Sequence, residues 1–209
     1  MSVLLEGVSR IIVPKGKRIF VQGRPDKLLY LLQDGRADTD RLTSDGTKTI
    51  LGLFHAPSIL GQQIYSREGE LPDSATAFDD CTLDVFDRRT LPRILGRKII
   101  EEELRRAASS DLKYLKRRIL NQMPNSPATK LAAALIEIGQ SESAPDDLFE
   151  IEVKQQWLAD YIGHKRVVVN RTMARWINAG IINVQRMHYG SRITVKDPAA
   201  LTRYHLTDE

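Results

Sequence analysis

The period of the apolar residues changes once, near Thr90, and that change restricts the chain to a β-rich front and a helical back. Before it, short apolar runs alternate with turn signals: "RIIV", "RIFVQG", "LLYLLQDG", "TKTILGLF" and "CTLDVFD". Gly16, Gly23, Gly35, Gly46 and Gly61 fall between these runs or at their ends, and "QDG" and "SDG" are tight-turn sequences. Several short strands with a turn roughly every ten residues predict a β sandwich or barrel. After Thr90 the breakers almost vanish: only Pro92 and Gly96 interrupt the stretch from Leu91 to Gln122. There Leu104, Ala108, Leu112, Leu115 and Ile119 recur at spacings of 4, 4, 3 and 4, an apolar stripe on a long helix whose other faces are charged. So narrow a stripe suits pairing with a second copy of the chain; packing on the chain's own β region is the other reading.

"MPNSP" ends that helix. Ser126 before Pro127 reads as a cap followed by proline at the first helical position, and "ATKLAAALIEI" continues as a helix to Gly139. "QSESAPDD" reads as a polar loop and "LFEIEV" as a short strand. From Gln155 to Arg175 two helices flank a turn. Leu158, Ala159 and Ile162 fit the inner face of the first, and Gly163 stands where the backbone must turn left-handed. Val169, Met173, Trp176 and Ile177 form one apolar face of the second, which Gly180 closes. A small Ala159, a glycine four residues on and an apolar residue six further on have the spacing of a helix-turn-helix. "INVQRMHYGSRITVKD" reads as a hairpin behind it, with the turn at "HYGS".

Charge concentrates on this segment. Between Lys154 and Arg192 there are seven basic residues (Lys154, Lys165, Arg166, Arg171, Arg175, Arg186 and Arg192) against the single acid Asp160, although the whole chain carries only +4. A basic face of this kind supplies phosphate neutralisation on duplex DNA. Arginine can contact guanine in two places and asparagine can do the same with adenine. Gln155, Gln156, Lys165, Arg166, Val167, Asn170, Arg171 and Arg192 are the candidate DNA-binding residues, and a solvated helical packing unit is the plainer alternative.

Other functions find little support. The one cysteine, Cys81, excludes a disulfide framework, a thiolate zinc site and a cysteine-ligated cluster. The four histidines, His55, His164, His188 and His205, lack metal-ligand spacing, and no GxSxG, HExxH or P-loop pattern occurs, so no enzyme, metal or cofactor is expected. Haem held by His55 and Cys81, or a thiol switch at Cys81, is a weak alternative to a buried structural cysteine. With no apolar run near membrane-spanning length and no signal-peptide layout in "MSVLLEGVSRII", a cytoplasmic location and no membrane partner are expected.

The order of parts, with "GKRIFVQG", "LLYLLQDGRADTDRLTSDGTKTILGLF" and "SILGQ" in front and "QWLADYIGHKRVVVNRTMARWINAGII" behind, resembles the cyclic AMP receptor protein/FNR (CRP/FNR) family of bacterial transcription regulators. The resemblance covers nearly all of the chain except the tail. It implies an α+β chain of three parts: a cyclic-nucleotide-binding-type β jelly roll over 1–90, a dimerisation helix over 91–123 and a winged helix-turn-helix over 124–209. It also implies a homodimer on a pseudo-palindromic duplex operator, the second helix of the motif entering the major groove, and for an activator a surface for RNA polymerase. Arg166 and Arg171 fall on the family's DNA-contacting arginines. Val167 falls where many members carry a base-reading glutamate, and Lys165 replaces a small hydroxyl residue. In cyclic-nucleotide binders a Gly-Glu pair engages the ribose and an Arg-Ser pair the phosphate; here these positions are Gly61 with Gln62 and Asp73 with Ser74. The resemblance therefore implies a regulator that does not take cyclic AMP in the usual way, with another small effector or none. The alternative is a small-ligand sensor that does not bind DNA.

Overall fold

The computed structural model describes residues 8–24, 27–62, 71–87, 93, 96–124, 126–139, 148–188 and 190–206. The chain divides into two compact units, Met1–Leu115 and Lys116–Glu209.

The first unit holds eight strands: β1 (Val8–Val13), β2 (Arg18–Phe20), β3 (Leu28–Asp34), β4 (Arg36–Leu42), β5 (Lys48–His55), β6 (Ser58–Leu60), β7 (Ser74–Ala77) and β8 (Cys81–Asp87). They form two antiparallel sheets ordered β1-β8-β3-β6 and β2-β7-β4-β5, the double-sheet layout of a jelly roll. Alternate residues point inward, so Leu32 and Leu83, which pair across β3 and β8, are both fully buried. Phe20 and Tyr30 meet inside at 5.6 Å between ring centroids. The five glycines of the turn pattern all have left-handed φ, between 73° and 86°. At Gly35 a Cβ would also stand 2.3 Å from the Asp80 carbonyl oxygen, so only glycine fits between β3 and β4.

The second unit contains α2 (Pro127–Gly139), β9 (Phe149–Val153), α3 (Gln155–Ile162), α4 (Arg166–Asn178), β10 (Ile182–Met187), β11 (Gly190–Val195) and α5 (Pro198–Leu206). Its sheet is ordered β10-β11-β9, and β10 and β11 make the expected hairpin, Met187 opposite Gly190. Ser126 caps α2 by accepting from Thr129 N–H at 3.4 Å. The expected loop "QSESAPDD" lies outside the described residues. The tail adds the unanticipated α5, whose Tyr204 ring lies 5.5 Å from Trp176.

The long helix α1 runs Arg97–Gln122. Leu91 and Pro92, where the sequence places its start, lie outside the described residues, and the Gly96 carbonyl accepts the Ile100 N–H at 3.3 Å. Within the first unit Ile100 and Leu104 pack on the β core. Tyr114 Oη accepts the Leu53 N–H at 2.9 Å, and its ring fills the space that Gly52 leaves open. Leu104 of the candidate dimer stripe is partly buried and packs on the chain's own core, because it continues the Ile100 side of the helix. Ala108, Leu112, Leu115 and Ile119 remain exposed, Ile119 by 63%. Among the described residues no helix is long and apolar enough to cross a membrane.

Candidate nucleic-acid interface

The helix-turn-helix is built as its spacing demands. Leu158, Ala159 and Ile162 of α3 are buried, and Ala159 leaves room for α4 to approach. Gly163 ends α3 at φ 68°, ψ 35°, its N–H donating to the Ala159 carbonyl. Lys165 then starts α4 with neither a side-chain cap nor an acid in the first turn, so the N–H groups of Arg166 and Val167 and the positive end of the helix dipole face outward. The buried face of α4 is Val169, Thr172, Met173 and Trp176. Ile177 departs from expectation: it is 43% exposed. At 3.6 residues per turn it lies about 80° round from Val169, outside the stripe that Thr172 completes.

The opposite face presents Arg166, Val167, Asn170, Arg171, Ala174 and Arg175, all exposed, with Val168 at the boundary. Among the described residues no acid lies within ion-pairing distance of Lys154, Lys165, Arg166, Arg171, Arg175 or Arg186. Arg192 is different. Its Nε and Nη2 donate to Glu152 at 3.0 and 2.6 Å, with Glu150 at 3.8 Å, because β9 lies beside β11 with Glu152 opposite Arg192. Two acids just ahead of the basic window thus hold Arg192, the candidate DNA-binding residue on the hairpin. Arg186 on β10, counted in the charge but not among the candidate contacts, has no acid within ion-pairing distance among the described residues. Gln155 and Gln156 open α3, and Gln156 Nε2 donates to Asp160 at 2.7 Å. His164 lies in the turn, its pKa lowered by burial and by Lys130, so it stays neutral near pH 7.

The candidate effector residues are two sequence pairs with different neighbours. Gly61, with φ 79°, approaches the Leu28 carbonyl, and the Gln62 side-chain amide donates to Asp111 of α1. Asp73 and Ser74 stand at the start of β7, where Ser74 pairs with Asp40 of β4 and its Oγ accepts the Gln22 N–H at 3.0 Å. No hydrogen bond joins the two pairs among the described residues. Asp73 is buried, and its Oδ1 has no hydrogen-bond partner among the described residues. Burial pushes its carboxyl up to about 6, Asp40 reinforcing the rise and Arg41 opposing it. Asp40, fully inside, accepts from the Arg18 guanidinium and lies 3.4 Å from Lys48 Nζ. Cys81 is 1% exposed, donates to the Arg36 carbonyl at 3.1 Å and has its thiol pushed up to about 11 by burial, the state of a structural cysteine.

Comparison with known proteins agrees with this geometry. Residues 10–98 match the family described as the cyclic nucleotide-binding domain, and residues 129–204 match the Crp-like helix-turn-helix domain. A CRP-like cAMP-activated global transcriptional regulator of Mycobacterium tuberculosis is 21% identical over 97% of this chain and 91% of its own length. The cyclic AMP receptor protein of Thermus thermophilus is 26% identical over 88% of this chain and 84% of its own. Among solved structures, a CRP-family transcriptional regulator from Thermus thermophilus superposes with a TM-score of 0.80 at 16% identity, covering 95% of this chain and 97% of that one. Two matched domains in this order, with full-length relatives of the same kind, place the chain in the CRP/FNR family of transcription regulators: a cyclic-nucleotide-binding-type domain followed by a helix-turn-helix DNA-binding domain.

Proposed function

We propose that this regulator works as a homodimer on a pseudo-palindromic operator and does not take cyclic AMP as its effector. The observation that carries the first part is the exposed face of α4. Arg166 and Arg171 stand ready for guanine or phosphate, Asn170 for adenine, and Val167, 60% exposed, for a thymine methyl. Val167 cannot accept a hydrogen bond from cytosine as a glutamate would, so the half-site differs from that of family members with glutamate there. Lys165, with Gln155 and Gln156 at the start of α3, holds the backbone. The exposed stripe Ala108, Leu112, Leu115 and Ile119 supports pairing through α1, which sets two α4 helices into successive major grooves.

The second part rests on the sensor domain. Asp73 puts a carboxylate where cyclic-nucleotide binders hold the phosphate with arginine, and above pH 6 that carboxylate is charged. Two like charges in a partly dry pocket repel strongly. Gln62, at the ribose position, is already engaged by Asp111. The effector is then a different small molecule, or none, and RNA polymerase is a partner only if the protein activates.

Gel shift with random duplexes at rising salt tests the DNA-binding half. Affinity should fall steeply as salt rises, whereas a sensor without DNA binding gives no shift at any salt. Calorimetry tests the effector half: cyclic AMP binding at micromolar concentration would overturn it.

A further inference from the structure

The end of α1 grips the helix-turn-helix through one buried cation. Arg118 is only 7% exposed. Its Nη2 donates to the Tyr161 carbonyl at 2.5 Å, and its guanidinium carbon lies 3.4 Å from the centre of the Tyr161 ring. Tyr161 in turn stacks on Trp157, centroids 4.8 Å apart and planes 17° from parallel. One turn along, Gln122 Nε2 donates to the same carbonyl at 3.2 Å. That carbonyl belongs to the last turn of α3, where it lacks a partner within the helix and the dipole is negative. A cation suits the place electrostatically. Yet burying a guanidinium is costly, and an apolar side chain of similar size would fill the space with less loss. What the guanidinium adds is direction, because its planar donors and its stack over the ring fix one pose.

The adjoining face of the same two turns carries Ile119, Leu120 and Met123, each at least 63% exposed. One short piece of helix therefore has the dimer stripe on one side and the hold on α3 on the other. The turn Gly163–Lys165 is too short, and the packing at Ala159 too close, for α4 to move independently of α3. We infer that Arg118 is a positioning residue for operator recognition: it fixes the reading helix relative to Ile119 at the end of α1 and so sets the distance between half-sites that the dimer accepts. This rests on the homodimer reading above.

The test compares wild type, Arg118→Met and Arg118→Lys on the selected operator, on versions with one or two base pairs added to or removed from the spacer, and on a single half-site. Tryptophan fluorescence of Trp157 and Trp176 checks that each variant is folded. The wild type should lose about tenfold or more per altered spacer. Arg118→Met should bind the single half-site within about twofold of wild type while its spread across spacers shrinks to about threefold. Arg118→Lys, which keeps one donor but loses the planar stack, should fall between the two. Undiminished spacer discrimination in Arg118→Met would overturn the inference. So would equal losses on half-site and full operator, which would make Arg118 a fold residue of the reading unit. A wild type indifferent to spacer length would instead sink the homodimer reading, and this inference with it.

Discussion

Asp73→Asn isolates the charge on which the case against cyclic AMP turns. A buried carboxyl held at about 6, against 3.8 when exposed, favours the protonated form in the folded state. The fold is therefore least burdened by Asp73 below pH 4 and loses stability as pH rises through the window from about 4 to 6. Each pH unit between the folded and unfolded titration points is worth about 1.4 kcal/mol. The ionised carboxylate thus costs the β domain up to about 3 kcal/mol at pH 7.5; at pH 4.5 the folded carboxyl is protonated and only the uptake of that proton on folding remains, about 1 kcal/mol. Asparagine keeps the shape and removes the charge. Urea unfolding should therefore show Asp73→Asn more stable than wild type by about 3 kcal/mol at pH 7.5 and by about 1 kcal/mol at pH 4.5. Both tryptophans, Trp157 and Trp176, lie in the other unit, so the transition is followed by the β-sheet circular dichroism signal. An advantage that does not change with pH, or a less stable variant at pH 7.5, would refute the assignment of a destabilising, ionised Asp73 and with it the repulsion argument against cyclic AMP.

Arg171→Ala should lose roughly 1–3 kcal/mol of operator binding with relaxed specificity at one base pair, measured by gel shift; unchanged specific binding would mean that the reading face of α4 is misassigned. Leu112→Glu combined with Ile119→Glu should give monomers in sedimentation while the helical content stays, since both side chains are exposed in the single chain; a persistent dimer would move the interface elsewhere. Cys81 should resist thiol reagents in the folded protein and react on unfolding, because its thiol is buried and raised to about 11; rapid labelling of the native protein would reopen a redox role.

Much of this was legible in the chain because the signals are local. The spacing of Ala159, Gly163 and Val169 suffices for the helix-turn-helix, since the helix period and one left-handed glycine define the motif. The strand β4 is hidden in "RADTDRL", whose polarity argues against a buried strand. Only the tertiary neighbours Arg18 and Lys48 make Asp40 tolerable inside. The surroundings of Arg192 are hidden for a similar reason: Glu150 and Glu152, which pair with it, are brought beside it by the β9–β11 register across some forty residues. Arg118 carries no sequence signal at all, for in the charged run "KYLKRR" it looks like its solvated neighbours. Long-range partners rather than residue type decide its role.

Selection of bound duplexes from a random DNA pool, with and without cyclic AMP, tests the central claim most directly. The expected result is enrichment of an inverted repeat, with thymine-rich preference at the position read by Val167, and no change on adding cyclic AMP. A pool that shows no enriched sequence, or an enrichment that appears only when cyclic AMP is present, would contradict it.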